Sequence, residues 1–118
     1  MDVKELYQIL DANYEEISTR LMEDDIIKRS VLQFKDTNPF PEIQDAYREH
    51  DVVRLFDALH TLKEIVEELS LNKLLEITSM LCEVTRYKNV FDDEVIGPVM
   101  QTFVQEYNHT ISCINELE

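Results

Sequence analysis

The segment VVRLFDALHTLKEIVEEL, residues 52–69, decides the fold of this chain. Its apolar residues recur at spacings of three and four, the repeat of one helix face: Val52, Leu55, Phe56, Leu59, Leu62, Val66 and Leu69. The segment therefore predicts a long amphipathic helix that packs against other helices. At roughly 100° per residue, His60 lies about 120° from the centre of this stripe. We expect its side chain beside the core and toward solvent.

Turn-forming residues are scarce, with one glycine and three prolines among 118 residues. A β protein of that length needs many more of them. Helical patterns joined by short connections instead predict an all-α protein, an antiparallel up-down four-helix bundle with extra short N-terminal helices. We expect one domain over residues 1–118, with N-terminal helices in 1–36 and further helices in 41–117. The helix that carries His60 is expected at 51–69.

Local signals mark some of the helix boundaries. Asn13, with Glu16 three residues later, has the spacing of a capping box. Asp51 is the expected N-cap of the His60 helix. Gly97-Pro98, near the start of the last helical pattern, predicts either a kink or a delayed beginning of that helix.

The net charge of −14 at pH 7 narrows the classes of partner. Phosphate backbones and anionic membrane surfaces both attract basic proteins, so we expect neither nucleic acid nor membrane as a partner. No apolar run approaches the ~20 residues of a membrane span, and the start at Met1 lacks the apolar core of a signal peptide. Two cysteines, Cys82 and Cys113, make no disulfide framework and indicate a reduced, cytoplasmic protein. The absence of a linker favours a free-standing chain.

Other chemistries find little support in the sequence. Glu106-x-x-His109 and the near-match Asp57-x-x-His60 have the spacing of a carboxylate-bridged di-metal site. However, Glu106 and His109 are expected to face away from the apolar stripe of their helix, so the ligands could not close around a metal. A hydrolase triad lacks a glycine-rich nucleophile turn and an oxyanion-hole loop, and there is no P-loop. We expect no metal, no cofactor and no independent catalytic site.

The residues around His60 resemble a known family. The block ALHTLK, residues 58–63, is similar to the Ala-His-x-Leu-Lys-Gly core of the histidine phosphotransfer (HPt) domain of two-component phosphorelays. The resemblance extends from about Asp24 to the end of the chain and is strongest over residues 51–86. It implies a helical bundle on which an exposed histidine accepts a phosphoryl group from an aspartyl phosphate of a receiver domain and passes it to another aspartate.

The resemblance also implies roles for particular residues. His60 would be the phosphorylated histidine, and Lys63, one turn away, would offset the charge of the phosphoryl group. The residues that would form a docking patch for the receiver are Val53, Phe56, Asp57, Glu64 and Glu67. The implied partner is a response-regulator receiver domain, a hybrid histidine kinase, or both, in the bacterial cytoplasm. The receiver would supply Mg²⁺, and the chain itself would be a phosphocarrier, monomeric or weakly dimeric, and not an enzyme.

Glu64 departs from the family pattern, which has glycine at that position. Glycine inside a helix lowers stability, so the family glycine is expected to leave room for the receiver. Glu64 occupies this room, and a like charge at a few Å disfavours a phosphoryl group by a few kcal/mol at an effective dielectric of ~20, before screening. Two functions therefore stay open. One is a working but slow phosphocarrier; the other is a degenerate HPt-fold module that binds a receiver or kinase without being phosphorylated.

Overall fold

The computed structural model describes residues 1–117, which form seven α-helices and no strand. The helices are α1 Val3–Ile9, α2 Tyr14–Leu21, α3 Asp24–Asp36, α4 Phe40–Arg48, α5 Val52–Glu68, α6 Asn72–Thr85 and α7 Asp93–Ile114. The predicted all-α class is confirmed over these residues. Glu118, the last residue of the predicted domain, lies outside them. Among the described helices, none is long and apolar enough to cross a membrane.

The four later helices pack in chain order, α4 on α5, α5 on α6, and α6 on α7. Side chains also join α4 to α7. The Phe40 ring stacks on Tyr107 with 3.7 Å between centroids, and the Tyr47 hydroxyl donates to Asp93 at 2.6 Å. Helices α1 and α3 add further contacts to α7. Helix α7, the longest helix of the described chain, therefore contacts both the N-terminal helices and the later helices.

The core draws buried apolar side chains from every one of the described helices. Those that α5 contributes are Val52, Leu55, Ala58, Leu59, Leu62 and Val66. Each fully buried large aliphatic side chain contributes roughly 1.5–3 kcal/mol, so the stripe on α5 holds this helix firmly in place. Phe56, which the periodicity assigned to the same stripe, is only partly buried and lies at its edge.

The N-terminal helices hold the turn between α5 and α6. The buried Tyr7 hydroxyl donates to the Leu69 carbonyl at 2.7 Å. The Arg20 guanidinium donates to the Glu68 carbonyl and, at 2.7 Å, to the Ser70 hydroxyl. Carbonyls in the last turn of a helix have no partner within the helix. Side chains of α1 and α2 therefore complete the C-terminus of α5.

The predicted N-caps at Asn13 and Asp51 are confirmed. Their side chains accept from the backbone N–H groups of Glu16 at 3.0 Å and Arg54 at 3.1 Å. The capping box at Asn13, however, was a wrong prediction. The Asn13 N–H donates to the Ser70 carbonyl at 3.1 Å, and the Glu16 carboxylate accepts from the Ser70 hydroxyl at 2.6 Å. Tertiary partners on the α5–α6 turn have replaced the local reciprocal bond.

The last helix begins before its proline. The Asp92 side chain caps α7 by accepting from the Glu94 N–H at 3.2 Å, and Pro98 lies inside the helix. The delayed beginning suggested by Gly97-Pro98 therefore does not occur. Gly97 has a packing role, since a Cβ there would lie 3.0 Å from the Asp93 carboxylate. A Cβ at this position would crowd the carboxylate that receives the Tyr47 hydrogen bond.

Several helices of the described chain end without a glycine. Positive φ occurs instead at non-glycine residues that follow helices, namely Asp11, Met22, His50, Ser70 and Tyr87. The left-handed region costs an L-residue roughly 1–2 kcal/mol, which is why glycine is usual at such positions. The single glycine of the chain lies within α7, so these helix ends carry backbone strain.

Candidate functional site

His60 lies near the middle of α5 on its solvent-facing side, and its side chain is 53% exposed. Leu59 and Leu62, on the same helix, are fully buried. The backbone that carries the imidazole is therefore fixed by the core, while the ring is open to solvent. The orientation expected from the periodicity is confirmed.

Two side chains of α5, each one turn away, contact the imidazole. The Phe56 ring is parallel to it within 6°, with 5.9 Å between centroids. On the other side, Oε1 of Glu64 lies 3.4 Å from Nε2 of His60, and the Glu64 side chain is 67% exposed. Residues four apart share one helix face, so Phe56, His60 and Glu64 form a column along α5. The imidazole sits between an aromatic ring and a carboxylate.

Arg86 is a cation of this site to which the sequence assigned no role. It follows the last residue of α6, and its guanidinium lies 5.4 Å from the centroid of the Phe56 ring. The Glu83 carboxylate forms an ion pair with the guanidinium at 3.1 Å. Phe56 consequently touches both His60 and Arg86. A cation over an aromatic ring contributes about 0.5–1 kcal/mol at an exposed position.

Lys63 lies on the side of α5 that faces α6 and is partly exposed. Burial raises the pKa of the Cys82 thiol on α6, and the nearby Lys63 ammonium and Arg86 guanidinium offset part of that rise. Both cations are thus close to the same stretch of α6. Arg86 lies beside the Phe56 end of the His60 column, and Lys63 is three residues from His60 on the same helix.

The remaining predicted docking residues share the exposed face of α5. Val53 is 60% exposed, and Asp57 and Glu67 are exposed as well. In the described part of the chain, Phe56 forms a ring contact with the imidazole, and Glu64 lies within ion-pair distance of it. Within residues 1–117, no hydrogen bond or ion pair joins His60 to Lys63, Asp57 or Glu67.

The connection between α6 and α7 adds exposed apolar surface to the end of the molecule that carries Val53 and Phe56. Tyr87 is 94% exposed and Val90 is 71% exposed. Phe91 stacks on His50 with 4.4 Å between centroids, which ties this connection to the turn before α5. Because the connection begins at Arg86, it lies beside the N-terminal half of α5. Sequence periodicity could not find this surface, since the connection has no helical repeat.

The di-metal spacing noted in the sequence forms no such cluster. His109 is exposed, and its two ring nitrogens lie 4.0 and 3.9 Å from the Cys113 sulfur. In the part of the chain that the structure describes, no group of three or more His, Cys, Asp or Glu residues could hold a metal ion.

Comparisons with protein-family models, with curated proteins and with solved structures each found no match. The likeness to the HPt domain accordingly rests on the residues of this chain, above all those in 51–86. What the structure adds is the setting of His60, and from that setting a function can be proposed.

Proposed function

We propose that this chain is a histidine-containing phosphotransfer protein, with α4 to α7 as an up-down four-helix bundle and α1 to α3 as additional helices. His60 accepts a phosphoryl group from the aspartate of a receiver domain and donates it to another. The observation that carries this function is an open imidazole on a helix that is otherwise packed into the core. The chain acts in the cytoplasm, with a response-regulator receiver, a hybrid histidine kinase, or both.

For phosphoryl transfer, this chain needs to supply only a nucleophilic ring nitrogen. A lone pair on a ring nitrogen attacks the phosphorus of the acyl phosphate, the P–O bond to the aspartate breaks, and the carboxylate leaves with the electron pair. The nucleophilic form of histidine is the neutral imidazole, which is well populated near physiological pH. The receiver contributes Mg²⁺, and this chain needs no cofactor and no separate catalytic site.

Charged side chains of both signs surround His60. Lys63 and Arg86 lie on the α6 side of the His60 column, where they offset the charge of a phosphoryl group. Asp57, Glu64 and Glu67 oppose them on the exposed face of α5. Since all these groups are at least partly exposed, salt screens their interactions strongly. The resulting phosphocarrier is functional but slow.

The receiver docks over the N-terminal half of α5. This side of His60 offers apolar surface from Val53, Phe56, Tyr87 and Val90. The other side of His60 carries Glu64, Glu67 and Glu68 and would face basic residues of the partner. Complementary charges of this kind raise the association rate and exclude wrong partners.

Labelled phosphoramidate, a small-molecule phosphoryl donor, tests the carrier function directly. The wild-type chain is expected to acquire a base-stable, acid-labile phosphate and to pass it to a purified receiver domain. His60→Gln should abolish the label, while His109→Gln, which removes another exposed histidine, should leave it unchanged. Label retained in His60→Gln would show that another residue reacts. No label under conditions that load an established HPt protein would refute phosphotransfer.

A second candidate function is a receiver-binding module that is never phosphorylated. One observation favours it: the Glu64 carboxylate lies next to Nε2 of His60. In this position the carboxylate blocks the approach of a phosphoryl group to that nitrogen. Binding of a receiver that is undiminished in His60→Gln, together with no label on the wild-type chain, would support this module over the phosphocarrier.

A further inference from the structure

Helix α7 differs from the rest of the chain in its charge. Residues 95–114 include one charged residue, Glu106, although 31% of all residues are charged. The exposed positions within 95–108 are all uncharged, namely Val95, Pro98, Gln101, Thr102, Gln105 and Asn108. The exposed face of α5, by contrast, carries Asp57, Glu64, Glu67 and Glu68. The six uncharged residues, which form the outer face of α7, are thus a neutral surface on a protein of net charge −14.

A groove lies on each side of the outer face of α7. The groove toward α4 has a volume of about 710 Å³, and Tyr47, Met100 and Val104 contribute to its lining. The groove toward α6 has a volume of about 500 Å³ and includes Ile77 and the half-exposed Met80. Side-chain ridges of one helix pack into the grooves beside another. The outer face of α7 therefore has the relief that a second helix needs, with apolar surface to bury on contact.

Charge decides which kind of partner fits this surface. A basic partner is attracted to carboxylates, and these lie on the other faces of the molecule. A second copy of the chain carries the same net charge of −14 and is repelled wherever acidic surfaces meet. Two copies consequently approach each other with the least repulsion through the outer face of α7.

The polar side chains of this face are also compatible with copies of themselves. In a dimer with two-fold symmetry, the same patch on both copies meets itself. Side-chain amides and hydroxyls both donate and accept hydrogen bonds, whereas two carboxylates repel each other. Gln101, Gln105 and Asn108 have amides, and Thr102 has a hydroxyl. Each of these groups can therefore bond to its equivalent across a two-fold axis.

We infer that the outer face of α7 is the interface of a homodimer. Residues 95–112 extend along about 27 Å of helix, and the two shorter dimensions of the molecule are 23 and 21 Å. A contact of this size buries roughly 600 Å² on each copy, which is at the lower limit for specific interfaces, so the dimer is weak. Helix α5 packs mainly on α4 and α6, and a copy docked on α7 leaves the His60 column uncovered. The dimer does not depend on phosphotransfer.

Sedimentation velocity of the full chain, from about 5 µM to about 1 mM, measures the association. The dimer fraction should rise with concentration, and it should be larger in about 300 mM than in about 20 mM NaCl, because salt screens the repulsion between two acidic chains. A dimer fraction that falls with salt would contradict association through a neutral face. A monomer over the whole range at both salt concentrations would overturn the inference and leave this face to a different protein.

Two single substitutions place a like charge in the interface. Gln101→Glu and Gln105→Glu, each at an exposed position, should raise the Kd of the dimer by more than about tenfold, since juxtaposed like charges strongly oppose association. Gln33→Glu is the matched control, because it adds the same charge to an exposed residue of α3 beside Ile65 of α5. Circular dichroism should show the same helix content in all three variants. Equal loss of the dimer in the control would refute the α7 interface.

The position of the interface is read from the wild-type chain itself. On dilution, ¹H–¹⁵N NMR spectra should change for residues 95–108 and for the two grooves, and should stay constant for Val53 and His60. Changes confined to Val53, Phe56 and Tyr87 would place the dimer beside the histidine and overturn the inference. None of these measurements involves phosphate, so loss of the dimer and loss of the phosphocarrier function are distinguishable.

Discussion

At the scale of single residues, the site depends on what lies one helical turn from His60. Phe56 and Glu64 are its neighbours at four residues on either side, and both contact the ring. In the HPt family that the sequence resembles, this position holds glycine, so Glu64 would place a carboxylate where that family leaves an open approach to the histidine. The consequences can be measured by substitution.

Glu64→Gly is expected to speed phosphotransfer between His60 and a receiver. The change frees Nε2, the ring nitrogen farther from the backbone, and removes a negative charge from the path of the phosphoryl group. The gain should be at most about fivefold, because an exposed charge pair contributes roughly 0.2–1 kcal/mol. Rapid-quench measurement of the transfer rate checks it, with Glu64→Ala to separate charge from helix flexibility. An unchanged rate in both variants would remove Glu64 as the cause of slow transfer.

Met22→Gly is expected to stabilise the fold. Met22 ends α2 with φ 69° and ψ −33°, and the Glu23 N–H donates to the Leu21 carbonyl at 2.8 Å across it. This is a γ-turn that strains any L-residue. Its side chain is 82% exposed, so little packing is lost. Chemical denaturation should show a gain of about 1 kcal/mol. Met22→Ala keeps the strained backbone and should show no gain; an equal gain in both would refute strain as the cause.

At the scale of secondary-structure elements, the junction of α2 with the α5–α6 turn is the main polar contact between the N-terminal helices and the rest. Arg20, Glu16 and Ser70 form one hydrogen-bond network there. Ser70 is fully buried and has a φ of 55°, so the turn depends on partners from outside its own helices. Loosening this junction is expected to destabilise the C-terminal end of α5.

Arg20→Met should lower the free energy of unfolding by about 1–2 kcal/mol, since it leaves the Glu68 carbonyl and the Ser70 hydroxyl without their charged donor. Methionine retains most of the aliphatic stem. Arg48→Met is the matched control, because the Arg48 side chain is 72% exposed and forms an ion pair within its own helix. The control should change stability by less than about 0.5 kcal/mol. If urea denaturation showed equal losses of unfolding free energy in Arg20→Met and Arg48→Met, the network would not be the cause.

The same network predicts how stability responds to acid. The Ser70 hydroxyl and the Arg20 guanidinium lower the pKa of the Glu16 carboxyl below its ordinary value of 4.5. A carboxylate with a lowered pKa in the folded state stabilises the fold above that ordinary value, and the contribution is lost as the pH falls through the folded pKa. Glu16→Gln should therefore be less stable than wild type at neutral pH, with a difference that shrinks in acid. Glu15→Gln, on the same turn, is the control for the loss of one charge, and the pH-dependent loss across the denaturation series should be larger in Glu16→Gln than in Glu15→Gln.

At the scale of the whole molecule, charge and apolar surface are distributed unevenly around His60. The N-terminal half of α5 and the α6–α7 connection offer Val53, Phe56, Tyr87 and Val90, and the C-terminal half of α5 offers carboxylates. A partner that covers His60 must meet both regions at once. This arrangement gives the proposed receiver a definite orientation on the chain.

Tyr87→Ser is expected to weaken binding of the proposed receiver domain. Tyr87 is 94% exposed, so the free protein should be little affected, whereas truncation of an aromatic side chain at an interface often costs at least about 2 kcal/mol, more than tenfold in Kd. Isothermal titration calorimetry measures the effect. Ile9→Ser is the control, since Ile9 is 53% exposed on α1, at the other end of α5. Unaltered affinity in Tyr87→Ser would place the docking surface elsewhere.

The helices, the Asp51 cap and the exposure of His60 were all predictable, because each follows from spacings of three and four residues or from one adjacent side chain. The capping box at Asn13 was not, since Ser70, which is distant in sequence, competes for both of its groups. Arg86 was missed because its contact, too, joins residues that are distant in sequence. Its place beside Phe56 exists only because α6 returns antiparallel to α5.

The sequence by itself determined the all-α class, the run of helices and the outward direction of His60 on α5. These are local properties of helical geometry and burial. Only the tertiary structure decided which side chains gather around that histidine from α6, which ones complete the end of α5, and where exposed apolar surface lies. Such choices depend on how helices far apart in sequence pack, and the physical reason is that buried groups take the nearest partner in space, whatever its place in the chain.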